Sequence, residues 1–182
     1  LGGIVLLCLI DMWSVNKRYL YDDLFVPKSK QAEAFVKTQA DEIILQDTTL
    51  YYRVLNFVGF PGNTFNENNT AYWHKSVGGY HAAKLRRYQE MIEEHISPEM
   101  SNLFKAVSEA GGDMAKVDAS AFPVLNMLNT RYFIFPLQGG KTMPIQNPYT
   151  LGNAWFVDKV QYVNNANEEI AVSYTHLTLP TT

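Results

Sequence analysis

The amino-acid sequence predicts an α+β fold, a small mixed helix and strand domain preceded by the end of a transmembrane helix. The 182 residues are about one domain's length, and a hydrophobic content of 47% suffices for a buried core. Apolar stripes with helical spacing alternate irregularly with short aromatic and β-branched runs, which predicts about three to five strands and no internal repeat.

The first ten residues form a continuous apolar run, Leu1–Ile10. A spanning helix needs about 20 such residues, so the run is too short for a complete span. Asp11 ends the run, and Trp13, Tyr19 and Tyr21 follow, as aromatic side chains do at a membrane interface. We interpret the run as the last half of a transmembrane helix whose beginning is missing. The alternative is a buried core helix or strand.

Local signals then predict the elements of residues 28–70. A short helix over 28–36 follows Pro27, and a capping box at Thr38 and Asp41 opens the next helix. Residues 51–58 are aromatic and β-branched and predict a strand, whereas 59–70 are rich in Gly, Pro and Asn and predict a loop.

An apolar stripe with helical spacing predicts the strongest helix, which follows Gly78-Gly79. The stripe consists of Leu85, Tyr88, Ile92 and Ile96. Ser97-Pro98 predicts the start of a second helix, with serine as the N-cap and proline in the first turn. Gly111-Gly112 is expected to end that helix.

The later part of the chain predicts a short helix over 122–128, a strand over 131–135 and a turn at Gly139-Gly140. A final strand is predicted over 154–163. Residues 172–182 depart from the preceding acidic, asparagine-rich style and resemble a translated sequencing adapter, so we interpret them as an artefactual tail.

Composition and motif searches exclude several function classes. A net charge of −3 gives no basic field for a nucleic-acid backbone, so no nucleic-acid partner is expected. Cys8 is the single cysteine, which excludes a disulfide framework and a cysteine-type zinc site. The sequence contains no HExxH, no G-x-S-x-G and no glycine-rich phosphate loop. We therefore predict no catalytic residue, metal or cofactor in this chain.

One segment has the composition of a binding surface. Residues 72–88 contain four aromatic side chains, two histidines, two lysines and two arginines. Aromatic faces suit sugar rings, and Lys and Arg suit phosphate or carboxylate. Glycines ahead of a helix allow close approach, and free N–H groups at the start of the helix attract anions. The equal alternative is an aromatic-anchored helix start with a solvated basic edge.

Four ordered motifs resemble the YfhO family of bacterial membrane proteins, in particular its large Bacteroidetes members. The motifs are YRVLN (52–56), AYWHKSVGGYHAAKLRRYQ (71–89), LNMLNTRYFI (125–134) and NPYTLGNAWFV (147–157). The resemblance covers roughly residues 1–171, which is everything before the adapter-like tail.

The resemblance implies a polytopic membrane protein similar to C-type glycosyltransferases, which use lipid-linked sugar donors to glycosylate cell-surface polymers. Their catalytic carboxylate usually lies in an early loop that this chain lacks. Residues 11–171 would then be an incomplete, non-catalytic domain on the extracytoplasmic side of the cytoplasmic membrane. Its partners would be the membrane, through Leu1–Ile10 and missing upstream helices, and a lipid-linked sugar or surface polysaccharide. The alternative is a membrane-anchored carbohydrate- or polymer-binding module without catalysis.

The residues that match the family motifs supply the candidate binding set: His74, Lys75, Tyr80, His81, Lys84, Arg87, Asn129 and Arg131. Our hypothesis is that His81, Lys84 and Arg87 face a polyanionic or sugar acceptor, or the phosphate of the donor. The hypothesis places them on one helix, where side chains three and four residues apart are neighbours. The alternative is that they hold the loop 78–80 against the sheet.

Overall fold

The computed structural model describes residues 2–33, 35–157 and 160–175. It divides the chain into two compact units, Leu1–Val36 and Lys37–Thr182. His176 and the rest of the predicted tail after residue 175 lie outside the described residues.

The first unit contains helices α1 (Gly2–Tyr19) and α2 (Lys28–Glu33) with a 3-10 turn at Asp22–Leu24 between them. Helix α1 includes the apolar run and continues past Asp11, and none of its residues is buried. The alternative of a buried core element therefore does not describe residues 2–10. Within the described residues, no helix combines the length and the apolar character needed to span a membrane.

The second unit contains three strands and six helices among the described residues. The strands are β1 (Arg53–Asn56), β2 (Thr130–Pro136) and β3 (Thr142–Gln146). The helices are α3 (Gln39–Ile44), α4 (Asn69–Trp73), α5 (Arg86–Met91), α6 (Ser97–Glu109), α7 (Pro123–Met127) and α8 (Ala166–Thr175). Single 3-10 turns lie at Met114–Lys116, Ala119–Ala121 and Gln138–Gly140.

The strands form one sheet in the order β1-β2-β3. Strand β1 is parallel to β2, and β2 pairs antiparallel with β3 through a tight connection. Gly139 and Gly140 have φ of 75° and 73° in this connection, a backbone conformation that glycine adopts without strain. The mixed sheet with its flanking helices confirms the predicted α+β class.

The sheet is buried on both faces because successive strand residues point in opposite directions. On one face, Leu55 and Phe133 belong to a core that includes Leu103 of α6. On the other face, Val54 and Ile134 pack with Ile44 of α3. The sheet therefore lies between α3 and α6 in a three-layer arrangement.

Helix α6 begins at Ser97 with Pro98 in its first turn, as predicted, but the predicted N-cap role of Ser97 is wrong because the helical segment runs without a break from Arg86 to Glu109. A π turn at Ile92–Ile96 joins α5 to α6, and the N–H of Ser97 donates to the carbonyl of Ile92. The wider turn lets the helix continue past Pro98, which has no N–H to donate. Gly111 and Gly112 end it as predicted, with the N–H of Gly112 donating to the carbonyl of Val107 at 2.9 Å.

The strand predicted over 154–163 is wrong for the residues that the structure describes, 154–157 and 160–163. This segment has strand-forming side chains, but no neighbouring strand pairs with it, and Phe156 is fully exposed. The sequence did not predict strand β3, because Pro144 lies at its centre and proline is uncommon inside strands. Proline is tolerated there because β3 is an edge strand of the sheet.

Candidate functional site

A cleft of about 380 Å³ opens at the edge of the sheet where β1 and β2 begin. Because the two strands are parallel, their amino ends lie at the same edge. The loop after β3 closes the cleft from the side. The lining residues are Tyr51, Arg53, Met127, Asn129, Gly152, Asn153 and Trp155.

The backbone is unusual at this cleft. Tyr51 has φ of 64° and Asn129 has φ of 55°, and in the described part of the chain no other non-glycine residue has a positive φ. Such conformations cost free energy and are concentrated at functional sites. Both residues line the cleft. Asn129 directly follows the C-cap of α7, where asparagine commonly takes this conformation, so the strained backbone position of the cleft is Tyr51.

Asn129 connects three segments of the cleft wall. Its Nδ2 donates to the carbonyl of Tyr51 at 3.1 Å and to Oδ1 of Asn153 at 3.0 Å. Its own carbonyl accepts the N–H of Arg53 at 2.9 Å. The Asn129 side chain is thus a positioning group for the aromatic ring of Tyr51 and for the loop that carries Trp155.

Two further asparagines, Asn126 and Asn147, hold the loop after β3 in place. Asn147 is buried, and its Nδ2 donates to Oδ1 of Asn126 at 2.8 Å and to the carbonyl of Thr130 at 2.9 Å. The carbonyl of Asn126 accepts the N–H of Leu151 at 3.2 Å. Because these groups are buried and hydrogen-bonded, they hold the loop in one position.

The cleft presents aromatic rings and cations to solvent. Trp155 is 41% exposed, and Tyr51 is also exposed. The Nζ of Lys75 lies 4.2 Å from the centre of the Tyr51 ring. Arg53 donates from Nη1 to the carbonyl of Leu128 at 2.7 Å, and its side chain is otherwise solvent-facing. None of the seven lining residues is acidic.

Of the predicted binding residues, Asn129 lines the cleft and Lys75 lies against its Tyr51 wall. His74 follows helix α4 and does not line the cleft. Its side chain is only 2% exposed, and its Nε2 lies 2.9 Å from Oδ1 of Asp41. Burial raises the pKa of Asp41, but hydrogen bonds from His74 and Thr38 outweigh burial and hold that pKa below its ordinary value. This pair joins the start of α3, whose capping box is confirmed, to the end of α4.

Arg131 is paired with a carboxylate elsewhere. Its Nε donates to Oδ2 of Asp47 at 2.8 Å, and the hydroxyl of Tyr132 donates to the same oxygen at 2.8 Å. Hydrogen bonds from Thr49, with a further one from Tyr132, hold the pKa of Asp47 far below its ordinary range. Arg131 therefore serves the packing of the chain segment after α3 against β2.

The predicted helical face of His81 and Lys84 is wrong, because α5 begins at Arg86 and both residues lie in the preceding turn. The Nδ1 of His81 accepts the N–H of Ala83, and the Nζ of Lys84 lies 5.5 Å from the centre of the Phe65 ring. Arg87 is exposed on the first turn of α5. The structure does not bring these three side chains together on one helix.

Gly78 and Gly79, which precede this turn, pack closely against the backbone of Thr64. The N–H of Gly79 donates to the carbonyl of Thr64 at 2.9 Å, and the N–H of Tyr80 donates to Oδ1 of Asn68 at 3.1 Å. A Cβ at Gly78 would lie 2.3 Å from the carbonyl oxygen of Thr64. The N–H groups of Gly79 and Tyr80 are therefore occupied, and the glycines allow a close approach to the backbone of Thr64.

The predicted binding set did not include most of the cleft wall, namely Tyr51, Arg53, Asn153 and Trp155. The four family-like motifs could have indicated Arg53, Asn153 and Trp155 in the sequence. Each motif contributes at least one residue that lines the cleft or contacts the Tyr51 ring. Arg53 comes from 52–56, Lys75 from 71–89, Asn129 from 125–134, and Asn153 and Trp155 from 147–157.

Within the described residues, no cluster of three or more His, Cys, Asp or Glu side chains could hold a metal ion. No protein-family model, curated protein or solved structure matches this chain.

Proposed function

We propose that this chain is a non-catalytic, saccharide-binding part of a bacterial membrane protein that resembles C-type glycosyltransferases, and that it lies on the extracytoplasmic side of the cytoplasmic membrane. The observation that carries the proposal is the strained cleft with its Trp155 and Tyr51 rings.

The lining residues match the chemistry of a sugar. Aromatic faces pack against the C–H face of a sugar ring, and amide groups can both donate to and accept from its hydroxyls. Trp155 and Tyr51 supply the rings, and Asn153 and Asn129 supply the amides. Amide side chains do not act as acids or bases, so Asn153 and Asn129 suit binding.

The YfhO resemblance supports the proposed setting. All four motifs that carry the resemblance contribute to this one cleft or its edge, although they are far apart in sequence. The alternative, a carbohydrate-binding module anchored by a single helix, uses the same cleft in a shorter protein. Translation of the genomic DNA on both sides separates the two: about ten upstream hydrophobic spans favour the transferase-like protein, and a single span favours the anchored module.

Replacement of Trp155 by alanine is expected to weaken saccharide binding by about tenfold or more, because a stacking platform is a typical hot spot of binding energy. The measurement is a glycan array followed by calorimetric titration of the best oligosaccharide into the full chain. Phe156→Ala is the matched control, since Phe156 is the adjacent aromatic residue, is fully exposed and does not line the cleft.

The proposal requires that the Phe156→Ala variant binds like the unmodified chain. Absence of any saccharide binding by the unmodified chain would overturn it. Equal loss in both aromatic variants would place the site on the exposed segment around residue 156 and not in the cleft.

A further inference from the structure

We infer that the saccharide bound in this cleft is anionic, a sugar that carries a carboxylate or a phosphate recognised by Arg53 and Lys75. The inference rests on the proposed saccharide site and adds the chemical class of its ligand.

The first argument is the pairing of charges. Some cations of the second unit have carboxylate partners, as Arg131 has in Asp47 and Arg86 has in Glu90, whereas Lys84 lies over the Phe65 ring. Arg53 and Lys75 have neutral partners only, the carbonyl of Leu128 and the ring of Tyr51. Neither has a carboxylate partner within the part of the chain that the structure describes.

The second argument is the position of these two cations. Arg53 lines the cleft directly, and Lys75 is held against Tyr51, which lines it as well. No lining residue carries a negative charge, although the whole chain has a net charge of −3. The cleft is therefore a local cationic site on an acidic protein, and it favours an anionic ligand over a neutral one.

The third argument is the geometry of donors that remain available. Arg53 uses Nη1 for a backbone carbonyl, which fixes the guanidinium and leaves other N–H groups of the fork facing solvent. A fixed guanidinium is suited to two-point binding of a carboxylate or phosphate. The rings of Tyr51 and Trp155 would then hold the sugar to which the anionic group is attached.

The test uses a matched series of hexoses, each as the methyl glycoside, the uronate and the 1-phosphate, titrated into the full chain at low and high salt. The signal to follow is the indole N–H resonance of Trp155 in NMR spectra. We expect at least one anionic form to bind about tenfold more tightly than its methyl glycoside, with the difference decreasing as salt rises. Comparison of uronate with 1-phosphate identifies which anionic group the site accepts.

The variants Arg53→Gln and Lys75→Gln should each remove most of this preference, measured within each variant as the ratio of the affinities for the anionic form and the methyl glycoside. Arg87→Gln is the control, because Arg87 is an exposed cation that does not line the cleft. Equal binding of the neutral and anionic forms would overturn this inference, but it would still agree with the proposed saccharide site. Inorganic phosphate that binds as tightly as every sugar phosphate, or a complete absence of sugar binding, would overturn both proposals.

Discussion

Replacing Gly78 with alanine is expected to lower the free energy of unfolding by about 2 kcal/mol, because the new methyl group would collide with backbone atoms. A Cβ at this position lies 2.3 Å from the carbonyl oxygen of Thr64 and 3.1 Å from its Cγ2. Thr64 cannot move away easily. It is buried, its hydroxyl donates to the carbonyl of Asn56 at 3.1 Å, and its own carbonyl accepts the N–H of Gly79.

The measurement is urea denaturation of the full chain, followed by circular dichroism. Gly62→Ala is the matched control, because no atom lies within 4 Å of a Cβ at Gly62 and its φ is not in the left-handed region. We expect this control to change stability by less than about 0.5 kcal/mol. If the Gly78 and Gly62 variants were equally stable, the contact with Thr64 would not constrain the loop.

Replacing Glu99 with alanine is expected to destabilise the chain by about 3 kcal/mol, since the substitution leaves buried donors without acceptors and opens a cavity. Glu99 lies on α6 and is 1% exposed. Its two carboxyl oxygens accept the N–H groups of Val124 and Leu125 at 2.9 and 3.0 Å, which caps the first turn of α7. Glu99→Gln retains one acceptor and should cost about 1–2 kcal/mol.

The control for this pair of variants is Glu94→Gln, because Glu94 is exposed on the π turn of the same helical segment. Its effect on the midpoint of urea denaturation should be within experimental scatter. A Glu99→Ala variant with a midpoint close to that of the unmodified chain would show that the carboxyl does not hold α7 in place.

The same carboxyl is expected to make stability depend on pH. Burial raises the pKa of Glu99 to about 7 from the ordinary value of 4.5, although hydrogen bonds from Val124 and Leu125 oppose the shift. Because the folded pKa is the higher one, folding favours the protonated form. The stabilisation is fully present below pH 4.5 and is lost as the pH rises through 7, a change of at most about 3 kcal/mol.

We therefore expect the advantage of the unmodified chain over Glu99→Gln to shrink between pH 5 and about pH 8. Other titrating groups are common to both proteins, so the difference between the two denaturation curves isolates Glu99. A difference that stays constant across this range would contradict the raised pKa.

Features that depend on a few neighbouring residues were predictable from sequence. The capping box joins Thr38 to Asp41, which are three residues apart. The end of α6 at Gly111 and the turn at Gly139-Gly140 likewise depend on local backbone freedom. These signals were sufficient because the atoms that form the structure lie within one turn of chain, and little chain entropy is lost in bringing them together.

The site residues were predictable only in part, because sequence position does not say which partner a charged side chain will find. Arg131 and Lys75 looked alike as motif cations. In the folded chain Arg131 pairs with Asp47, whereas Lys75 packs on the exposed ring of Tyr51 and keeps its charge near the cleft. The distinction depends on contacts across the sheet and the loops beside it.

The sequence by itself determined the α+β class, the apolar face of α6 and the capping box at Thr38, because hydrophobic periodicity and short-range hydrogen bonds depend on neighbouring residues. The stripe predicted from Leu85 was wrong at its start, since Leu85 precedes α5 and is exposed. Only the tertiary structure decided that β3 pairs at the sheet edge despite Pro144, and that Arg53, Asn129 and Trp155 line one cleft. The contacts of the cleft join residues tens of positions apart. They form because the parallel pairing of β1 and β2 brings the two amino ends of the strands together, and buried asparagines hold the closing loop against them.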